Sequence, residues 1–241
     1  MHVKSVTLHP DMYPTRDHYP FNLSVFGQPE RIVFSTPITL FVGENGTGKS
    51  TLLQALARKC GVHIWQDEER RRAEFNPDED RFCDYISIEW ADSPIQGSFF
   101  GSSLFQDFVR ILDDWAAASP GLLEYFGGES LMTKSHGQSI MSFFKARYRI
   151  KGIYLLDEPE TALSPKTQLE LLNLLVKMGA DGHAQFIIAT HSPILLACPN
   201  ASILSFDDAP IREVSYEQTE HYKIYKDFMG DRKKYLDDVQ S

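Results

Sequence analysis

The chain has 241 residues, 42% of them apolar and 24% charged, with a formal net charge of −9. That length suffices for one large α/β domain with a proper core or for two small ones, and the ordinary globular composition argues against long-range disorder. The acidic balance speaks against a grip on nucleic acid through the overall field, leaving only a local basic patch for that purpose. Cys60, Cys83 and Cys198 form no C-x-x-C pair, which fits buried thiols in a reducing compartment. No apolar segment follows Met1-His2-Val3-Lys4-Ser5, and the longest apolar runs, broken by His191 and Pro193, fall short of the roughly 20 residues that span a bilayer. The expectation is a cytoplasmic protein without membrane insertion.

In chain order, Val3 to Leu8 alternates apolar and polar residues and reads as an edge strand. Phe21–Phe26 and Arg31–Phe34 extend it into a small β-region, with Pro10, Pro14 and Pro20 marking irregular chain between. Tyr19 and Arg16 in that loop are candidates for stacking on a purine, or simply surface side chains. Ile38-Thr39-Leu40-Phe41-Val42 reads as a buried strand, and Thr51 to Ala57 as the start of a helix. Trp65 to Arg81 is highly charged, and Arg70-Arg71-Arg72 reads as a solvated face more readily than as a phosphate contact. Tyr85–Trp90 and Ser98-Phe99-Phe100 read as strands. Phe105, Phe108, Val109, Leu112, Trp115 and Ala116 recur at helical spacing and predict one core-facing helix ending near Pro120, before the break at Gly127-Gly128.

From Ile140 the pattern becomes helix, strand, helix, strand. Ile153–Leu156 and Phe186–Ala189 are fully apolar, and between them Leu169, Leu171, Leu172, Leu174, Leu175 and Val176 line a helix. Apolar strands alternating with helices imply a parallel sheet covered on both faces. The tail from Thr219 reads as a helix closed by Gly230 and a shorter one from Asp231.

Gly43-Glu44-Asn45-Gly46-Thr47-Gly48-Lys49-Ser50 fits G-x-x-x-x-G-K-[ST] between that buried strand and the following helix. The full pattern arises by chance in roughly one chain in a hundred of this length, and its strand–helix context makes chance rarer still. Glycines let the backbone curl round a phosphate while N–H groups at the helix start, Thr51 included, point at its oxygens. Lys49 would reach the β/γ-phosphates and the Ser50 hydroxyl would ligate Mg²⁺. Asp157-Glu158 follows an apolar strand directly, so Asp157 could hold the same Mg²⁺ and Glu158 polarise an attacking water. His191 ends the next apolar strand, level with the carboxylates and able to bond a γ-phosphate. The base-reading Asn-Lys-x-Asp of a GTPase is absent from the sequence.

The set Gly43–Ser50, Leu155-Leu156-Asp157-Glu158-Pro159, Ala162-Leu163-Ser164-Pro165 and His191 resembles an ABC-type ATPase head, with its Walker A, Walker B, D-loop and switch histidine in that order. The resemblance implies an α/β P-loop fold over residues 1–241. Its mostly parallel sheet would be flanked by helices, with an N-terminal antiparallel β-region and a helical lid. The nucleotide-binding core would take 1–60 and 150–215, the lid about 90–149, and the C-terminal helices 216–241. Lys134-Ser135-His136-Gly137-Gln138-Ser139 is the counterpart of the family's signature, departing from it at Lys134 and His136. In the family, Ser135, His136, Gly137 and Gln138 would face ATP held by a second subunit. The glutamine that links metal to lid has no clear counterpart, Gln96 and Gln106 being the candidates. Glu160 and Ser164 are more similar to the RecF, SMC and OLD-type heads than to transporter subunits. With no heptad run between Thr51 and Lys134, the chain resembles the small stand-alone AAA-family ATPases that lack a coiled-coil arm. The implied partners are ATP with Mg²⁺, a second copy in an ATP-dependent homodimer, and an effector protein or DNA. An ATP-binding subunit of an ABC transporter is the alternative.

Overall fold

The computed structural model describes residues 1–64, 78, 80–102, 104–118, 121, 123–124 and 136–236. The expected Arg70–Arg72 cluster, the Gly127-Gly128 break, and Lys134 and Ser135 of the signature lie outside the described residues.

Strand β1 (Val3–Leu8) buries Val3, Val6 and Leu8 on one face. It is followed by β2 (Arg31–Val33) and β3 (Ile38–Val42), then by helix α1 (Lys49–Lys59) and β4 (Ile86–Trp90). β1 was expected at an edge but is the centre of an antiparallel sheet ordered β2-β1-β4. Period-2 alternation reports a half-polar face, not how many neighbours a strand has. On that polar face Ser5 donates to Glu89 (2.9 Å) and accepts from Arg31 (3.2 Å), so both flanking strands are tied to it. The expected strand at Phe21–Phe26 is instead a turn and a short 3₁₀ segment, Ser24–Phe26. Phe21, Val25 and Phe26 are all buried, an i, i+4, i+5 spacing that suits a single helical turn better than a pleat.

Next come β5 (Gly97–Gly101), α2 (Phe105–Ala118), α3 (His136–Arg147), β6 (Gly152–Asp157), α4 (Pro165–Ala180) and β7 (Ala184–Ala189). The chain continues through α5 (Pro193–Leu196), β8 (Ser202–Ser205), β9 (Arg212–Val214) and α6 (Glu220–Gly230). The main sheet runs β5-β6-β7-β3-β8-β9, parallel except for β9. The central strands β3, β6 and β7 are buried and largely apolar because both of their faces are covered, Thr39 and Gln185 being buried polar exceptions. Leu40, Tyr154, Leu156, Phe186 and Ile188 join one core with residues of α2, α3 and α4. Phe41, Ile153, Leu155 and Ile187 join the other, with α1 and the antiparallel sheet.

Three further expectations are corrected, and two strands went unanticipated. β5 lies inside the span taken for the lid (about 90–149) but pairs in register with β6, so the helical layer begins after Gly101. Trp115 is 52% exposed and Leu169 51% exposed, each lying off the stripe that its helix buries through Leu112 and Ala116 or Leu171 and Leu175. β8 and β9 carried no recognised pattern. Ser202 and Ser205 stay buried because β8 pairs with β3 and Ser202 Oγ meets Ser35 Oγ at 2.9 Å.

A buried side chain stitches the two sheets. Gln185, fully buried in β7, accepts from the His2 and Val3 amides at 2.7 and 2.8 Å and donates to the Val3 carbonyl at 2.9 Å. Gln185→Leu strands those backbone groups in the core, at a cost of about 1–3 kcal/mol for an unsatisfied group. We expect the variant to lose roughly 3 kcal/mol in urea unfolding, with its slope against denaturant unchanged.

Candidate nucleotide site

The carboxyl ends of β3, β5, β6, β7 and β8 finish level, Gly101 opposite Asp157, Asp157 opposite Ala189, and Val42 opposite Ser205. The loops leaving them therefore meet at one edge, where parallel sheets place ligands.

After β3 the chain makes the glycine loop. Gly48 has φ +102, and a Cβ there would stand 2.8 Å from Phe26 Cζ, so only glycine lets α1 start so close to the wall behind it. Thr47 Oγ1 donates to the Glu44 carbonyl at 2.9 Å, and the Glu44 amide donates to Asp207 beyond β8 at 2.9 Å. Lys49 is 4% exposed, and its Nζ donates to the carbonyls of Gly43 (2.6 Å) and Glu44 (2.8 Å). Burial lowers its pKa, opposed by Glu158 and Asp157. Glu44, Asn45 and Gly46 at the loop tip are exposed, and Thr51 is bonded to Tyr19 Oη at 2.7 Å. Tyr19 thus sits at the start of α1, while Arg16 turns to the Pro10 carbonyl and Asp11.

Ser50 Oγ donates to Asp157 Oδ1 at 2.8 Å. Burial pushes the Asp157 carboxyl up to about 6, and the Ser50 bond opposes that shift. A hydroxyl beside a desolvated carboxylate is a set of hard oxygen donors that fits Mg²⁺, which takes one or two protein ligands and completes its shell with phosphate and water. The described residues include no cluster of three or more His, Cys, Asp or Glu able to hold a metal ion.

Glu158 stands at φ 46, ψ 54, left-handed for a non-glycine residue. Its amide donates to the Ala189 carbonyl at 2.9 Å. Its own carbonyl accepts from Ser102 Oγ beyond β5 and from Thr161 Oγ1 (3.0 Å). These bonds hold the turn that leaves the Glu158 carboxylate partly exposed, with Oε1 3.6 Å from His191 Nε2. The His191 amide donates to Glu160 Oε1 at 2.6 Å. Glu160 is buried deeply enough that its carboxyl is raised, the His191 amide pulling the other way. His191 Nδ1 meets His221 Nε2 of α6 at 2.9 Å. Burial lowers the His191 pKa, with the Lys49 ammonium adding to it.

The structure thus brings Gly43–Ser50, Thr51, Asp157, Glu158 and His191 together. Gly137 and Gln138 open α3 and line a separate groove with Ala162, Ser164 and Thr167, to which no residue of Gly43–Ser50 contributes. His136 begins the same helix. Gln96 precedes β5, at the end of the strand away from the glycine loop, and Ser102 stands at the near end. Sequence reading missed Ser102, Asp207, His221 and the burial of Glu160. Their positions at strand ends could have hinted at the first two, and no local signal marks His221.

A family model described as "AAA domain" matches residues 21–76. Another, described as "AAA domain, putative AbiEii toxin, Type IV TA system", matches residues 140–197. The thiamine import ATP-binding protein ThiQ of Haemophilus influenzae is 27% identical over 208 residues, covering 80% of this chain and 90% of that protein. The protein of the same name from Cereibacter sphaeroides is 30% identical over 169 residues, covering 63% of this chain and 69% of that protein. Among solved structures, an ATP-binding cassette of an ABC transporter in its ADP conformation superposes with TM-score 0.57 and 13% identity, covering 96% of this chain and all of that one. The SMC head domain from Thermotoga maritima does so with TM-score 0.50 and 17% identity, covering 89% and 99%. Among the described residues no helix is long and apolar enough to cross a membrane.

Gly48→Ala combines a left-handed backbone with a clash against Phe26. We expect a loss of about 1–3 kcal/mol in stability and loss of nucleotide-induced thermal stabilisation, read by melting with and without ATP.

Proposed function

Because this chain belongs to the ABC-type ATPases, we propose that it binds ATP with Mg²⁺ and hydrolyses it between two copies of itself. The observation that carries this reading is the meeting of Ser50, Asp157, Glu158 and His191 at one sheet edge. Gly43 to Thr51 would wrap the phosphates, Lys49 exchanging its two loop carbonyls for β/γ-phosphate oxygens. Ser50 and Asp157 would hold Mg²⁺, which when bound supplies neutralisation of the phosphate charge. Glu158 would take the proton of a water attacking the γ-phosphorus, the bond to the ADP oxygen breaking as the new P–O bond forms. His191 Nε2–H would donate to the γ-phosphate and hold its position during transfer. Catalysis is then a matter of placing groups rather than of covalent chemistry.

The separate groove of Gly137 and Gln138 supports completion by a second subunit. A helix start presents free amides, and those of α3 in one copy would cap the phosphate held by the other, together with Ser135 and His136. ATP binding would close the pair and hydrolysis release it, so that nucleotide state could govern an effector protein or DNA-bound partner in the cytoplasm. A second reading, the ATP-binding subunit of an ABC transporter, is favoured by the names of the curated relatives. Glu160 stands against it by its resemblance to the RecF and SMC-type heads. Co-purification from the native host separates the two, a permease supporting the transporter and a soluble effector the first reading.

Glu158→Gln keeps the shape but removes the base. We expect ATP affinity to be retained, turnover to fall roughly 10²–10⁴-fold, and the mass by light scattering to double from 27.5 kDa when ATP is added. A monomer with normal turnover would refute the shared site. Lys49→Ala should weaken ATP binding by more than about tenfold in calorimetry, through loss of charge-assisted bonds to phosphate.

A further inference from the structure

The proposed role of His191 depends on which of its ring nitrogens carries the proton, and that in turn is set by the bond its other nitrogen makes. Nδ1 is engaged by His221 Nε2 at 2.9 Å, and Nε2 faces Glu158 Oε1 at 3.6 Å. The imidazole rings lie 5.0 Å apart. Burial lowers the pKa of both, which favours neutral rings sharing a single proton across their contact. Two arrangements are then possible. If His191 donated from Nδ1, its Nε2 lone pair would point at the Glu158 carboxylate, and His221 Nδ1–H would be a buried donor with no acceptor. If His221 donates from Nε2, His191 carries its proton on Nε2, aimed at Glu158 and the phosphate edge. His221 Nδ1 is then only an unfilled acceptor. Among the described residues neither His191 Nε2 nor His221 Nδ1 has a hydrogen-bond partner. An orphaned acceptor is more tolerable than an orphaned donor, and a lone pair facing a carboxylate is repulsive. The second arrangement is therefore favoured.

We infer that His221 is a positioning residue, whose Nε2–H holds His191 in the Nε2-protonated tautomer that can donate to an anion. The inference rests on the reading of His191 as the γ-phosphate donor. The local structure serves this placement. Thr219 caps α6, accepting from the Tyr222 amide at 3.2 Å and donating to the Tyr216 carbonyl at 2.7 Å, and the rings of Tyr216 and Tyr222 pack 4.7 Å apart. His221 sits in that fixed first turn. In α6 only His221 and Tyr222 are half-buried while the rest of the helix is exposed, so the end carrying His221 is where the helix is tied to the body. The C-terminal helix thereby becomes part of the hydrolysis site rather than an appendage to it.

His221→Leu and His221→Gln in the full chain test this, the glutamine retaining an N–H at similar reach. Nitrogen NMR of His191 in the nucleotide-free protein should show the Nε2-protonated tautomer in the parent and in His221→Gln, and loss of that single tautomer in His221→Leu. Turnover should fall roughly tenfold to a hundredfold in His221→Leu, with the KM for ATP little changed and most of the rate restored in His221→Gln. An unchanged His191 spectrum in His221→Leu, or equal loss of rate in both variants, overturns the assignment. If the parent hydrolyses no ATP, the proposed function fails while the His191 spectra still decide the role of His221.

Discussion

The 2.8 Å hydrogen bond from Ser50 to Asp157 joins the first residues of α1 to the last residue of β6 across an intervening strand, β7. It can form because β6, β7 and β3 are parallel and level, so that loops from strands more than a hundred residues apart in sequence end at the same height. That alignment is maintained by burial. Tyr154, Leu156, Phe186 and Ile188 lock one face and Leu155, Ile187 and Phe41 the other, each large side chain contributing about 1.5–3 kcal/mol on removal from water. A slip of one residue would turn these side chains to opposite faces and separate Ser50 from Asp157.

Against this stabilisation the site concentrates costs. Asp157 is desolvated until its carboxyl titrates at about 6, Glu160 is raised by burial, Lys49 is enclosed with its charge, and Glu158 occupies a backbone region that non-glycine residues avoid. Perturbed groups and strained backbone gathered in one place mark a candidate functional site. Lys49 donates to its own loop carbonyls, Gly43 and Glu44, which offsets part of the cost of burying its charge.

The same concentration extends to the residues behind these groups. Ser102 secures the Glu158 carbonyl, Glu160 the His191 amide and His221 the His191 ring, each from a different element. The groups that would touch the phosphate are thus oriented by side chains that never reach it, as in other sites where an outer partner determines the tautomer of a histidine.

What was legible in the sequence is what short-range pattern encodes. Three glycines with Lys49 and Ser50 between a strand and a helix, two acids after Ile153–Leu156, and His191 after Phe186–Ala189 define the parallel fold and the edge where these loops meet, because strand burial and loop chemistry are written in adjacent residues. β8 was not legible, since Ser202 and Ser205 become core only by pairing with β3. Nor was the central position of β1, which depends on Arg31 and Glu89 arriving from both sides. The partnership of His191 with His221, 30 residues apart, and of Gln185 with His2, 183 apart, was decided by tertiary packing alone. A hydrogen bond between distant side chains leaves no periodicity in the chain, and only the folded register brings its two ends within reach.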